Sequence, residues 1–151
     1  MRSSRKPAAA AVIAALAGSI LLPAQAQAAA GSVHLHKIYY NSPGSDNRSN
    51  TSLNAEYVQI RNTTSKAVSL KGWTLVDASK HKYVFGTYSL GKGATVTIRT
   101  GKGTNTQANR YQGRAAYVWN NDKDTATLKN SAGAKVDTCS YNSKKVAYKM
   151  C

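Results

Sequence analysis

The sequence predicts an all-β protein built as an antiparallel sandwich, and three observations carry that expectation. In Asn54-Ala-Glu-Tyr-Val-Gln-Ile-Arg-Asn62, Val58 and Ile60 point one way while Tyr57, Gln59 and Arg61 point the other, the alternation of a half-buried strand. Eight or nine short segments of this kind follow one another with turn residues between them, the pattern of a sandwich. After residue 28 no stretch repeats apolar residues at helical spacing for the length of a helix, and Thr, Val and Tyr, which suit a pleated surface, are abundant.

The strand candidates run in order along the chain. Val33 to Tyr40 is the first, with imperfect alternation: Val33 and Leu35 fall on one face and Ile38 on the other. Asn41 to Ser52 is dense in turn formers and holds Pro43, so it reads as a loop. Strands follow at 54–62, 66–70 and 72–77, the last with Trp73 and Leu75 on a common face. His81 to Phe85 gives another, and a turn at Leu90-Gly-Lys-Gly93 feeds Ala94 to Thr100, where Val96 and Ile98 face inward and Thr95, Thr97 and Arg99 outward. Gly101 to Gly113 is the longest loop, Ala115 to Trp119 resumes as strand, and Asn120 to Asp124 turns the chain. Thr125–Lys129 then pairs with Lys135–Cys139 across Asn130-Ser-Ala-Gly-Ala134, a hairpin.

Residues 1–28 stand apart from this fold. Arg2, Arg5 and Lys6 precede the apolar stretch Ala8–Leu22, and Pro23-Ala-Gln-Ala-Gln-Ala28 supplies A-x-A sites, the layout of a secretory signal peptide cleaved after Ala26 or Ala28. The apolar stretch is shorter than the ~20 residues a membrane-spanning helix needs. Residues 29–151 are expected to form one domain, secreted and with no transmembrane segment. Of the 21 Lys and Arg, 18 lie in that part together with all six acids, a net charge of +12. Such a charge attracts polyanions, or it keeps a small monomer soluble. The two cysteines, Cys139 and Cys151, read as one disulfide in an oxidising compartment. The short loop it closes makes ~3 kcal/mol a fair measure of its stabilisation.

The spelling E-Y-V-Q-I-x-N over Glu56–Asn62, then L-x-G-W-x-L-x-D over Leu70–Asp77, resembles the core motif of the lamin tail domain family. Ala94–Thr100 is similar to that family's central strand. Trp119-Asn-Asn-Asp-Lys-Asp-Thr-Ala-Thr-Leu-Lys-Asn130, with Gly133 and Val136-Asp137, resembles its closing hairpin. The resemblance spans about Val33 to Val136, and the Tyr40–Asp46 segment and the C-terminal cysteine pair look most like small secreted actinobacterial members. It implies an immunoglobulin-like antiparallel β-sandwich used as a binding or accessory module, with contacts to proteins and DNA in lamins. One departure is Gln59, where many members carry a second Glu, so an acidic cluster on that strand is weakened here.

Chemistry beyond binding finds little support in the residues. Ser side chains are plentiful, but none sits in a G-x-S-x-G or S-x-x-K setting. Glu56, Asp77, Asp124 and Asp137 lie beside strand ends and are expected to accept backbone hydrogen bonds, with Asp46 and Asp122 completing the acids. His34 and His36 share a strand face, but nothing places His81 or an acid beside them as further metal ligands. Asp122 and Asp124 lack the remaining oxygen ligands of a Ca²⁺ loop, and Gly101-Lys-Gly103 lacks the spacing of a phosphate loop. No catalytic residue, cofactor or metal is therefore expected.

The basic residues are the functional signal. Arg61, Lys71, Lys82 and Arg99 are predicted to face out from strands. Lys66, Lys80, Lys92 and Lys102 lie in turns, and Lys144, Lys145 and Lys149 lie inside the disulfide loop. Tyr57, Tyr111, Tyr141 and Tyr148 are expected to be exposed beside them, suited to stacking on bases or sugar rings. The favoured partner is DNA or an anionic cell-wall polymer bound without sequence preference. The alternative is a structural or protein–protein interaction module whose charge serves only solubility, and a small hydrolase or nuclease ranks third.

Overall fold

The computed structural model describes residues 31–151. The expected signal segment, 1–28, lies outside the described residues. Eleven strands and one short helix alternate along them. They are β1 (Val33–Tyr39), α1 (Asn50–Ala55), β2 (Tyr57–Asn62), β3 (Val68–Ser69), β4 (Thr74–Val76), β5 (Lys82–Val84) and β6 (Ser89–Leu90). β7 (Thr95–Arg99), β8 (Asn109–Tyr111), β9 (Lys123–Lys129), β10 (Lys135–Asn142) and β11 (Tyr148–Met150) complete the chain.

Two sheets form the layers of a sandwich, one in the order β11-β1-β2-β7-β8 and the other β10-β9-β4-β5, with β3 and β6 paired separately. Their inner faces supply the core. Leu35, Ile38, Val58, Ile60, Val96 and Ile98 from the first sheet meet Leu75, Ala126 and Leu128 from the second, all of them buried. Trp119, Phe85, Leu70 and Leu90 belong to the same buried cluster. A truncation such as Ile60→Ala in so dense a core costs ~2–5 kcal/mol. The tyrosines split by environment. Tyr40 and Tyr141 stack across the core with ring centroids 3.7 Å apart, and their hydroxyls donate to the carbonyls of Ser143 (2.8 Å) and Asn120 (2.5 Å). Tyr141 was expected at the surface. It is buried because its ring fills the core while its hydroxyl finds a backbone acceptor, and that burial raises its phenol above the ordinary range.

Several further expectations are corrected. The register of β1 on β2 shifts between Leu35 and Lys37. This bulge adds one residue and returns Ile38 to the face of Val33 and Leu35, which is why the alternation looked broken. Asn50–Ala55 forms a helix inside what read as a loop and strand start. It is capped by Ser49, whose hydroxyl accepts from the Ser52 N–H at 3.2 Å, and six residues are too few to show a helical period. The segment 115–119 is not a strand, since the Val118 N–H is directed to Glu56 rather than to a ladder. The loop 101–113 contains β8, which pairs parallel to β7 in an otherwise antiparallel sandwich. β11 was not foreseen.

The four motif carboxylates tie elements together, as expected. Asp77 accepts from the His81 N–H at 2.6 Å, Asp124 from the N–H groups of Ala78 (2.9 Å) and Thr125 (2.8 Å), and Asp137 from those of Leu35 (2.8 Å) and Thr138 (2.8 Å). Glu56 lies deepest, at 0 % exposure. Its Oε1 accepts from the Thr100 hydroxyl at 2.6 Å and the Val118 N–H at 2.9 Å, joining the start of β2, the end of β7 and the 118–119 segment. Desolvation outweighs these bonds and pushes its carboxyl up to about 7.

A pH dependence follows with a definite sign. The folded protein holds the Glu56 proton from its ordinary value of 4.5 up to about 7, so the folded state binds more protons than the unfolded chain across that window. Stability from this group is full below the lower value and falls as pH rises through the upper one. Glu56→Gln retains the acceptor oxygen and cannot ionise. Wild type minus Glu56→Gln, measured by urea unfolding across the window, should decline with rising pH by an amount on the order of 3 kcal/mol. A difference that is flat with pH would refute the assignment.

Candidate functional site

The outer face of the first sheet is organised in rows set by strand register. Tyr148 of β11 pairs with Tyr39 of β1, Tyr39 with Tyr57 of β2, Tyr57 with Arg99 of β7, and Arg99 with Tyr111 of β8. One row thus crosses all five strands with four tyrosines and an arginine, and at strand spacing it is roughly 19 Å long. The next row, in the same register, is Met150, Lys37, Gln59, Thr97 and Asn109. Arg61 pairs with His34 and Thr95 further along.

Stacking and cation–π contacts fix the row. The Tyr39 ring centroid is 5.4 Å from that of Tyr57 and 6.1 Å from that of Tyr148, with near-parallel planes. The Lys37 ammonium lies 4.3 Å from the Tyr148 centroid, 5.5 Å from Tyr39 and 5.9 Å from Tyr57. The Arg99 guanidinium lies 5.5 Å from Tyr57. Each such contact contributes ~0.5–1 kcal/mol at an exposed site. Arg99 is held from two sides, donating to the Asn54 carbonyl and to Asn109 Oδ1, both at 2.8 Å. The core-side tyrosines Tyr40, Tyr88 and Tyr141 donate their hydroxyls to backbone carbonyls. Among the described residues, those of Tyr39, Tyr57, Tyr111 and Tyr148 make no hydrogen bond, and their rings are half-buried except that of Tyr148, which is exposed.

Charge on this face is not neutralised from within. The only ion pair among the described residues is His81 with Asp77, at 2.7 Å, so no Lys or Arg there is paired with a carboxylate. His36 feels the concentration. Partial burial and then the charges of Arg61, His34 and Lys37 lower its basicity.

The residues nominated from sequence do not form one patch. Arg61 and Arg99 lie on this face, with Tyr57, Tyr111 and Tyr148. Lys80 and Lys82 belong to the β4–β5 hairpin at the far edge of the other sheet, and Lys66, Lys71 and Lys92 to turns. Lys144 and Lys145 lie in the loop from β10 to β11. Lys149 on β11 pairs with Ile38, opposite in facing to Tyr148 and Met150. Sequence reasoning missed Lys37 and Tyr39, whose period-two relation the β1 bulge conceals. It also missed the strand Tyr148-Lys-Met150, whose alternation was legible but short. Among the described residues no group of three or more His, Cys, Asp or Glu could hold a metal.

The disulfide Cys139–Cys151 fastens this face at its edge. Cys139 lies within β10, the edge of one sheet, and Cys151 follows β11, the edge of the other. The bond therefore crosses between layers and holds the short strand that carries Tyr148.

A lamin tail domain family model matches residues 26–143. The chain belongs to the lamin tail domain family. No curated protein matches it significantly.

The disulfide should be felt at the face. In a Cys139→Ser, Cys151→Ser variant, global stability should drop by ~3 kcal/mol. Backbone amides from Tyr148 to residue 151 should exchange with solvent faster by a larger factor than those of β2. Equal acceleration in both strands would mean that β11 is held by its ladder alone.

Proposed function

With membership of that family as the premise, we propose that the protein is a secreted, non-catalytic binding module that takes an anionic polymer on the outer face of its five-stranded sheet. The observation that carries this reading is the row Tyr148–Tyr39–Tyr57–Arg99–Tyr111, with Lys37 beside it. Cations attract phosphate or carboxylate groups, and release of counterions drives association that weakens with salt. Aromatic edges and free phenol hydroxyls add ring contacts and hydrogen bonds with bases or sugars, without demanding one sequence. DNA and anionic cell-wall polymers both meet this description. The same row favours such a ligand over a purely apolar protein partner, because its tyrosines are interleaved with unpaired charge.

The non-catalytic reading is supported by the occupation of the carboxylates. Glu56, Asp77, Asp124 and Asp137 are engaged with backbone N–H groups, so none is set out as a free acid or base. Export is supported by the charged, apolar and small-residue layout of residues 1–28 and by a disulfide formed from the only two cysteines.

Binding of the oxidised protein to labelled single-stranded DNA, duplex DNA and an anionic cell-wall polymer tests this reading. Micromolar affinity at ~50 mM salt should fall steeply by ~200 mM. Lys37→Glu should weaken it by about tenfold or more, a change of ~1.4 kcal/mol, and Tyr39→Ala by a comparable factor. Lys82→Glu, on the opposite sheet, should change it little. Equal loss from Lys37→Glu and Lys82→Glu would reduce the effect to net charge, and no binding at low salt would leave the charge to solubility and turn the search to protein partners.

A further inference from the structure

A second concentration of cations lies at the end of the sandwich where α1 packs, and it shares no residue with the tyrosine row. Arg48 and Arg114 both line two adjoining cavities of ≈ 410 and ≈ 380 Å³. The first is completed by His81 and Tyr117, the second by Lys102 and Asn50, with Ala115 common to both. These volumes fall at the small end of the range for ligand sites.

The walls are held by hydrogen bonds. Lys102 donates its N–H to Asn50 Oδ1 at 2.7 Å, and its carbonyl accepts from the side-chain amides of Asn50 (2.9 Å) and Asn54 (2.8 Å). The Arg114 N–H donates to the Thr100 carbonyl at 3.0 Å. The Tyr117 hydroxyl lies 2.6 Å from Ser52 Oγ and accepts from the Arg48 N–H at 3.3 Å. A side chain at Gly101 would bring its Cβ to 2.5 Å from Asn50 Oδ1 and 2.7 Å from Asn54 Oδ1, so only glycine permits this approach. Arg48 itself sits at φ 57°, in the left-handed region that a long side chain adopts at a cost. Such a residue persists where its surroundings over-determine it.

No carboxylate pairs with either arginine. Asp77 is buried and is bonded to Nδ1 and the N–H of His81, and Asp46 accepts from the Asn121 amide at 2.7 Å. Neither guanidinium has a carboxylate within 4.0 Å among the described residues. Arg114 makes only longer contacts of its own, to the Lys82 carbonyl at 3.3 Å and Gln112 Oε1 at 3.4 Å.

We propose that this cleft binds a phosphate group. Two guanidinium forks match the oxygens of a phosphate in pairs, and Lys102 adds a compact charge that a singly charged carboxylate would not need. His81 Nε2, left by the Asp77 bond, and the Tyr117 hydroxyl supply further hydrogen bonds. The proposal does not depend on the sheet face.

The test is a titration of the oxidised protein with inorganic phosphate at low salt, followed by NMR on the Nε–Hε groups of Arg48 and Arg114 and on Tyr117. Saturable shifts at all three are expected. Arg48→Gln and Arg114→Gln should each weaken binding by about tenfold, one charge-assisted contact's worth, while Lys135→Ala, on the exposed edge strand β10, leaves it unchanged. Arg48 is exposed, so its variant keeps the test independent of folding. A dimethyl phosphate arm separates the sources: saturation by inorganic phosphate alone assigns the site to free or terminal phosphate, and saturation by both assigns it to the backbone of a phosphodiester strand. Either outcome supports a phosphate site. Shifts that grow linearly without saturating, or that survive in both arginine variants, overturn it.

Discussion

Four carboxylates turned toward backbone N–H groups govern both the architecture and the surface of this protein. Glu56, Asp77 and Asp124 accept from amides of loops and turns, and Asp137 from that of Leu35 beside the β1 bulge. A buried N–H without an acceptor is costly, so a fold of short strands with many irregular junctions needs such acceptors. With only six acids in the chain, this use leaves few for the surface. Among the described residues no Lys or Arg is paired with a carboxylate, so the surface cations stand unopposed. Glu56 is the extreme case, since the chain accepts a carboxyl raised to about 7 in order to join β2, β7 and the 118–119 segment at one point.

The sandwich was legible because alternation is a local property. Val58 and Ile60, Val96 and Ile98, and Leu128 within β9 declare their facing from sequence alone, and all are buried. What was not legible depends on pairing. The row Tyr148–Tyr39–Tyr57–Arg99–Tyr111 draws its members from five strands spread over more than a hundred positions, and only register brings them together. A bulge between Leu35 and Lys37 further hid the relation of Lys37 to Tyr39. Tyr141 was misplaced for a related reason. A phenol carries both an apolar ring and a polar tip, and the choice between core and surface rests on whether a carbonyl such as that of Asn120 lies within reach. Composition announced a cationic protein without saying where its cations gather.

The two cation groups differ in what they can select. On the sheet face, charge lies beside stacked rings on a flat, register-defined surface, which favours an extended ligand crossing several strands. At the cleft, Arg48 and Arg114 line small cavities together with Asn50, Lys102 and Tyr117, dimensions that suit one compact group. Both are rooted in the end of β7. Arg99 closes the row and donates to the Asn54 carbonyl, Thr100 is bonded to Glu56, Gly101 permits the close approach of Asn50 and Asn54, and Lys102 lines the cleft. Four consecutive residues therefore connect the extended surface, the buried carboxyl and the compact site. The Thr100 hydroxyl donates to the buried Glu56 between them, so the residues that reach the two charged surfaces flank one core contact.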